Sequence, residues 1–152
     1  MKKWGGKGLR RKIFGLLAAC LLSCSPLASA EDMRFVDAEG FTGYYVDVSS
    51  IAFGTGEIPE GTAPEEVAEA RVAVVKADRN RRYLYQMRFN RRLETYEIGS
   101  SEVQAYDTRE VLEKSGVGRM PRHYGFSSPM NGIVNFIYEW KAEQERAAKK
   151  SY

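Results

Sequence analysis

At 152 residues, with 43% hydrophobic and 28% charged side chains, the chain has the length and composition of one globular domain. Its net charge of +3 comes from the first thirty residues, where Lys2, Lys3, Lys7, Arg10, Arg11 and Lys12 stand without an acid; the rest carries 17 Lys and Arg against 20 Asp and Glu, net −3. The basic pI is therefore no argument for nucleic-acid binding. A single histidine and two cysteines confined to the leader exclude multi-histidine zinc sites and thiolate chemistry from residue 31 onward.

The leader itself reads as an export signal over residues 1–30. After the basic segment, Ile13 to Leu22 runs ten residues without a polar side chain, and Ala28-Ser29-Ala30 gives the small-x-small exit of a signal peptidase site. Such a span is short of the ~20 apolar residues needed to cross a bilayer. Cleavage after Ala30 is the preferred reading. Leu17-Ala18-Ala19-Cys20 and Leu21-Leu22-Ser23-Cys24 also resemble lipoboxes, so a lipoprotein acylated at Cys20 or Cys24 is the competing one, and only that form meets a membrane.

Residues 31–152 read as a single α+β domain. From Met33 the pattern is mostly strand-like, and Gly43 to Val48 puts Tyr44, Val46 and Val48 on one face, Tyr45 and Asp47 on the other. Glu57 to Glu69, with two prolines and five glutamates, reads as an exposed acidic loop. Four strands are expected next: Ala70–Ala77, Tyr83–Phe89, Leu93–Ile98 and Glu102–Asp107. The links between them, 78–82, 90–92 and 99–101, are too short for parallel crossovers, so residues 70–107 should form an antiparallel meander within a five- to six-stranded sheet. Val111-Leu112 reads as a short turn or helix ending near Gly116 and Gly118. Ser128 and Pro129 then open a helix with Ile133, Phe136, Ile137 and Trp140 as its apolar stripe, packed on a face of the sheet. Residues 141–152 are its charged tail.

Little of this chain reads as catalytic machinery, and no cofactor motif is present. His123 lies in a loop, Ser127-Ser128 lacks a nucleophile-elbow context, and Gly54-Thr55-Gly56 lacks the lysine and third glycine of a phosphate loop. Asp37, Glu39 and Asp47 read as a solvated rim, since their spacing matches no calcium loop. Arginine stands out instead. Arg79, Arg81 and Arg82 precede the tyrosine-rich strand, Arg91 and Arg92 follow it, and Arg88 lies between. With Tyr83, Tyr85 and Tyr96 they form a candidate surface for a protein or an anionic polysaccharide. The bland reading is that these arginines solubilise the sheet and guard its edges.

The order of these pieces resembles a known group. Tyr44-Tyr45-Val46-Asp47 runs into Ser49-Ser50-Ile51. The valine and tyrosine strands follow, then Ala105-Tyr106-Asp107 with Val111-Leu112-Glu113-Lys114-Ser115, and Ser128-Pro129 opens the last helix. This looks like the small exported bacterial domains grouped with surface-adhesin protein E. The resemblance implies an exported antiparallel domain with a C-terminal helix, periplasmic or at the cell surface, and a non-enzymatic, adhesin-like binding role. The alternative is a periplasmic enzyme or enzyme inhibitor with a cleft near Arg119–Tyr124.

Overall fold

The computed structural model describes residues 30–56, 65–116, 118 and 120–150. Residues 1–29, where the export signal is expected, residues 57–64 of the acidic segment, Val117, Arg119 and the last two residues lie outside the described residues. The strands are β1 (Met33–Glu39), β2 (Thr42–Thr55), β3 (Glu66–Lys76), β4 (Arg81–Asn90), β5 (Thr95–Ala105), β6 (Val111–Gly116) and the two-residue β7 (Arg122–His123); one helix, α1 (Pro129–Lys150), follows. The sheet runs in sequence order from β1 to β6, every pair antiparallel, and β7 adds to the free end of β5. The expected α+β architecture is therefore present.

Short turns fix this order. Gly40 takes φ 57°, which a residue without Cβ adopts at little cost, and lets β1 return as β2. Asn80, at φ 50°, closes the single 3₁₀ turn between β3 and β4. Its side chain also donates from Nδ2 to Asp107 Oδ1 at 3.0 Å and accepts the Asp107 N–H at 3.1 Å, so two neighbouring loops are stitched at one end of the sheet. At the other end, Asn90 Oδ1 accepts the Leu93 N–H at 3.0 Å across the β4–β5 turn. In β2 the register with β3 breaks between Asp47 and Ala52. There the Ser50 hydroxyl replaces the missing ladder bonds, accepting the Arg71 N–H and donating to the Asp47 carbonyl, both at 2.7 Å.

The core lies between one sheet face and α1. Val46 of β2, Ala68, Ala70 and Val72 of β3, and Met87 and Phe89 of β4 meet Ile133, Val134 and Ile137 of α1, with Tyr124 closing the cluster. The strand alternation expected for Tyr44 and Val46 places both on this side. Ser128 caps the helix as expected, its hydroxyl accepting the Met130 N–H at 3.1 Å. No helix among the described residues is long and apolar enough to cross a membrane.

Several elements differ from expectation. Leu93–Ile98 and Glu102–Asp107 belong to one strand: Gly99-Ser100-Ser101 continues β5, and the irregularity appears as a bulge opposite Gln86 and Met87. Residues 111–116 are a strand at the sheet edge, exposed along its whole length, Val111 and Leu112 included. The acidic stretch ends at β3, whose first residue is Glu66. Asp47 is 2% exposed rather than on a solvated rim; its Oδ1 accepts from Ser49 Oγ at 2.6 Å, Asp32 N at 3.0 Å and Ser49 N at 3.1 Å. Trp140 is half-buried and stands outside the core cluster. Of the expected stripe, Ile133 and Ile137 are buried and Phe136 packs against the core, joined by Val134 and Tyr138.

Candidate functional site

The alternation of β4 divides the candidate residues between the two faces. Arg81, Tyr83, Tyr85, Met87 and Phe89 share the helix side, and Arg82, Leu84, Gln86 and Arg88 share the other.

On the side away from α1, charged groups form a continuous lattice across the sheet. Lys114 pairs with Glu102 at 2.9 Å, and Gln104 donates to Glu102 at 2.6 Å. Arg82 donates from Nη1 to Gln104 at 2.9 Å and from Nη2 to Glu31 at 2.6 Å. Glu31 continues to Arg71 at 3.4 Å, and Arg71 lies 3.8 Å from Asp47. Hydrogen bonds from Lys114 and then Gln104 hold the Glu102 carboxyl below the usual glutamate range. A groove of about 580 Å³ lies along this lattice, with Arg71, Gln86, Ser100 and Lys114 among its lining. Among the described residues no buried side-chain polar atom lacks a partner, so the lattice is internally satisfied. Its acids and bases compensate one another locally, and its evident work is to cover the sheet.

The helix side is covered unevenly. α1 packs over β1 and β2. The row formed by Tyr44, Val74, Tyr83 and Val103 is only half-buried, and Val74, Tyr83 and Val103 lie outside the core cluster. Tyr83 and Tyr85 stand parallel, 6° between planes, with ring centres 6.5 Å apart. Lys76 Nζ sits 5.8 Å from the Tyr83 ring centre, within cation–π range. Lys76 and Arg81 are direct partners in the next row, at the end of the shelf. Burial, and then the neighbouring Tyr83, push the Tyr85 phenol above its ordinary value; burial, then Glu39 and Asp37, do the same to Tyr44. Tyr83 stands between the Tyr85 ring and the two cations Lys76 and Arg81. The arrangement can stack a flat apolar group and pair an anion next to it.

The candidate residues therefore do not form one surface. Arg81, Tyr83 and Tyr85 stay together. Arg82 is 5% exposed and faces the opposite side, locked to Glu31. Arg88 lies on that side as well, between Glu69 and Glu97 in the register. Arg79 sits in the 3₁₀ turn beside Asp78, 3.9 Å away. At the far end of β4, Arg91 lies 5.1 Å over the Tyr138 ring and Arg92 pairs with Glu65. Tyr96 packs on the core opposite Phe89. For the residues of β4 and its turns the separation has two causes: consecutive strand residues point to opposite sides, and the two turns lie a strand length apart. Sequence reasoning missed Lys76, although its phase with Val72 and Val74 assigns it to the same face.

The region proposed as a cleft presents Arg122 and His123 exposed on β7, while Tyr124 enters the core. A hollow of about 280 Å³ beside Pro121 is lined by Arg88, Asn90, Leu93 and Glu97, and His123 is not part of it. Among the described residues no group of three His, Cys, Asp or Glu is placed to hold a metal ion. No family model, no curated protein and no solved structure matches the chain.

Proposed function

We propose that this protein is an exported, non-enzymatic binding module of the bacterial envelope or cell surface, adhesin-like, which holds an acidic macromolecule on the shelf of Tyr83 and Tyr85. The observation that carries the reading is the pair of parallel, half-exposed tyrosines at the border of the core, Tyr85 packed against it and Tyr83 beyond it, with Lys76 and Arg81 at the Tyr83 end. The resemblance to the surface-adhesin protein E group and the export leader support the location. The alternative of an enzyme or inhibitor near Arg119–Tyr124 has less to support it, because His123 stands outside the neighbouring hollow.

Surface attachment tests the proposal. Cells of the native host carrying Lys76→Gln with Arg81→Gln should lose adhesion to an acidic surface. Retention of the isolated protein should fall with salt, as the screening length shrinks from about 10 Å at 0.1 M to about 3 Å at 1 M. A folded double variant that adheres like wild type at every salt concentration would sink the proposal.

A further inference from the structure

We infer that the occupant of this shelf is an acidic polysaccharide, its sugar rings laid on Tyr83 and Tyr85 and a carboxylate or sulfate held between Lys76 and Arg81; the inference rests on the binding reading above. Three features of the surface favour a sugar chain over a protein.

The first is the spacing of the rings. Tyr83 and Tyr85 are residues i and i+2 of one strand, so their separation of 6.5 Å follows the strand repeat of about 6.7 Å. Parallel rings repeating in this way keep step with a chain running along β4, Tyr85 against the core and Tyr83 beyond it. A pyranose has a face lined by C–H bonds and a rim of hydroxyls, so it can stack on a tyrosine while its rim remains hydrated. A half-exposed ring suits that partner.

The second is the sequence of chemistry along β4. From Arg81 through Tyr83 to Tyr85 the surface passes from cation to ring to ring, over about 13 Å. In the row beyond Tyr83, Ser101 and Ser115 lie in register with Tyr85 and bring hydroxyls rather than charge. Two or three sugar units with an acid at one end match that order. Glu113 ends the Tyr83 row at β6 and Glu39 ends the Lys76 row at β1, so an acid of the sugar chain is taken between Lys76 and Arg81.

The third is what the surface lacks. A protein hot spot is a desolvated centre ringed by contacts that exclude water. Here the apolar floor is one row of half-buried side chains, Tyr44, Val74, Tyr83 and Val103, open along the strand direction.

The test is affinity electrophoresis of the processed protein in gels containing polygalacturonate, heparin, dextran, poly-L-glutamate or single-stranded oligothymidylate. Retardation by polygalacturonate or heparin is expected, with none by dextran or poly-L-glutamate. Tyr83→Ala should weaken it roughly tenfold, the scale of losing one stacked ring, and Tyr83→Phe should preserve it. Circular dichroism of each variant separates lost binding from lost fold. Retardation by poly-L-glutamate equal to that by the polysaccharides, abolished by Lys76→Gln with Arg81→Gln, would overturn the sugar assignment and leave the binding reading standing. Stronger retention by oligothymidylate would replace sugar with nucleic acid. Migration unaffected by both acidic polysaccharides would overturn the inference, and if the double variant also adheres to acidic surfaces like wild type, the binding reading falls with it.

Discussion

Among the described residues, Glu31 is the one carboxylate paired with the guanidinium of Arg82, whose side chain is 6% exposed against 35% for Glu31. Leaving a buried cation without its acid costs about 3–5 kcal/mol when both partners are buried. The exposure of Glu31 reduces this, so Glu31→Ala should destabilise the fold by about 2 kcal/mol in urea titrations, and Arg82→Met in the same background should recover much of it. A loss under about 0.5 kcal/mol would mean that Gln104 suffices for Arg82. Tyrosine ionisation sets the alkaline limit. Burial comes first among the causes that raise the phenols of Tyr44, Tyr85, Tyr124 and Tyr138. A raised folded pKa means full stability below the ordinary tyrosine value and progressive loss as pH climbs through the folded values. Unfolding followed across alkaline pH should therefore track tyrosinate absorbance. Glu102 behaves oppositely: its carboxyl is depressed, so its contribution is present above the ordinary glutamate value and disappears as pH falls through the lowered one. Glu102→Gln should flatten the acid limb of the stability profile.

Among the elements, the helix gives the sharpest contrast. Ile137 is fully buried, and Ile137→Ala should cost about 3 kcal/mol. Trp140 is half-buried at the edge of that stripe, so Trp140→Ala should cost about 1 kcal/mol, despite the larger side chain. Equal shifts in denaturant midpoint would place Trp140 in the core after all. Lys141 carries the stripe one step further, pairing with Glu66 and lying 4.5 Å over the Phe53 ring. Residues 143–150 are exposed, and truncation after Ala142 should change stability by less than about 1 kcal/mol. The helix start was legible because Ser128, Pro129 and the change of period coincide. Its buried face was less so, since Trp140 competes with Tyr138 for the same stripe and only packing on β1 and β2 decides between them. Gly99-Ser100-Ser101 looks like a turn and becomes strand because both neighbours, β4 and β6, pair with it. Local composition cannot report that pairing.

For the molecule as a whole, antiparallel order and a terminal helix were readable from link lengths and periodicity, whereas partners distant in sequence were not. Arg82 and Glu31 are separated by 51 positions, and nothing in the alternation of either segment announces their meeting. The same holds for the candidate site. Arg81, Tyr83 and Tyr85 follow from one strand's alternation, but their exposure depends on how far α1 reaches over the sheet. Charge belongs to this scale too. Residues 31–152 carry net −3, so the attraction proposed for an acidic partner would come from the local pair Lys76 and Arg81 against the mean charge. Processing fixes that balance: intact-mass analysis of the native protein should find Glu31 at the amino terminus, unacylated. An acylated species starting at Cys20 or Cys24 would place the shelf at a membrane surface instead.

The position of α1 at the end of the chain has a consequence for biogenesis. Every strand from β1 to β6 pairs with its neighbour in sequence, so the sheet can close progressively as the amino-terminal part becomes available. The helix that covers Val46, Val72, Met87 and Phe89 arrives last. A sheet that closed before then would have one bare, greasy side. A chain terminated before Pro129 should consequently accumulate as aggregates, and supplying residues 129–152 as a separate peptide during refolding should keep it in solution.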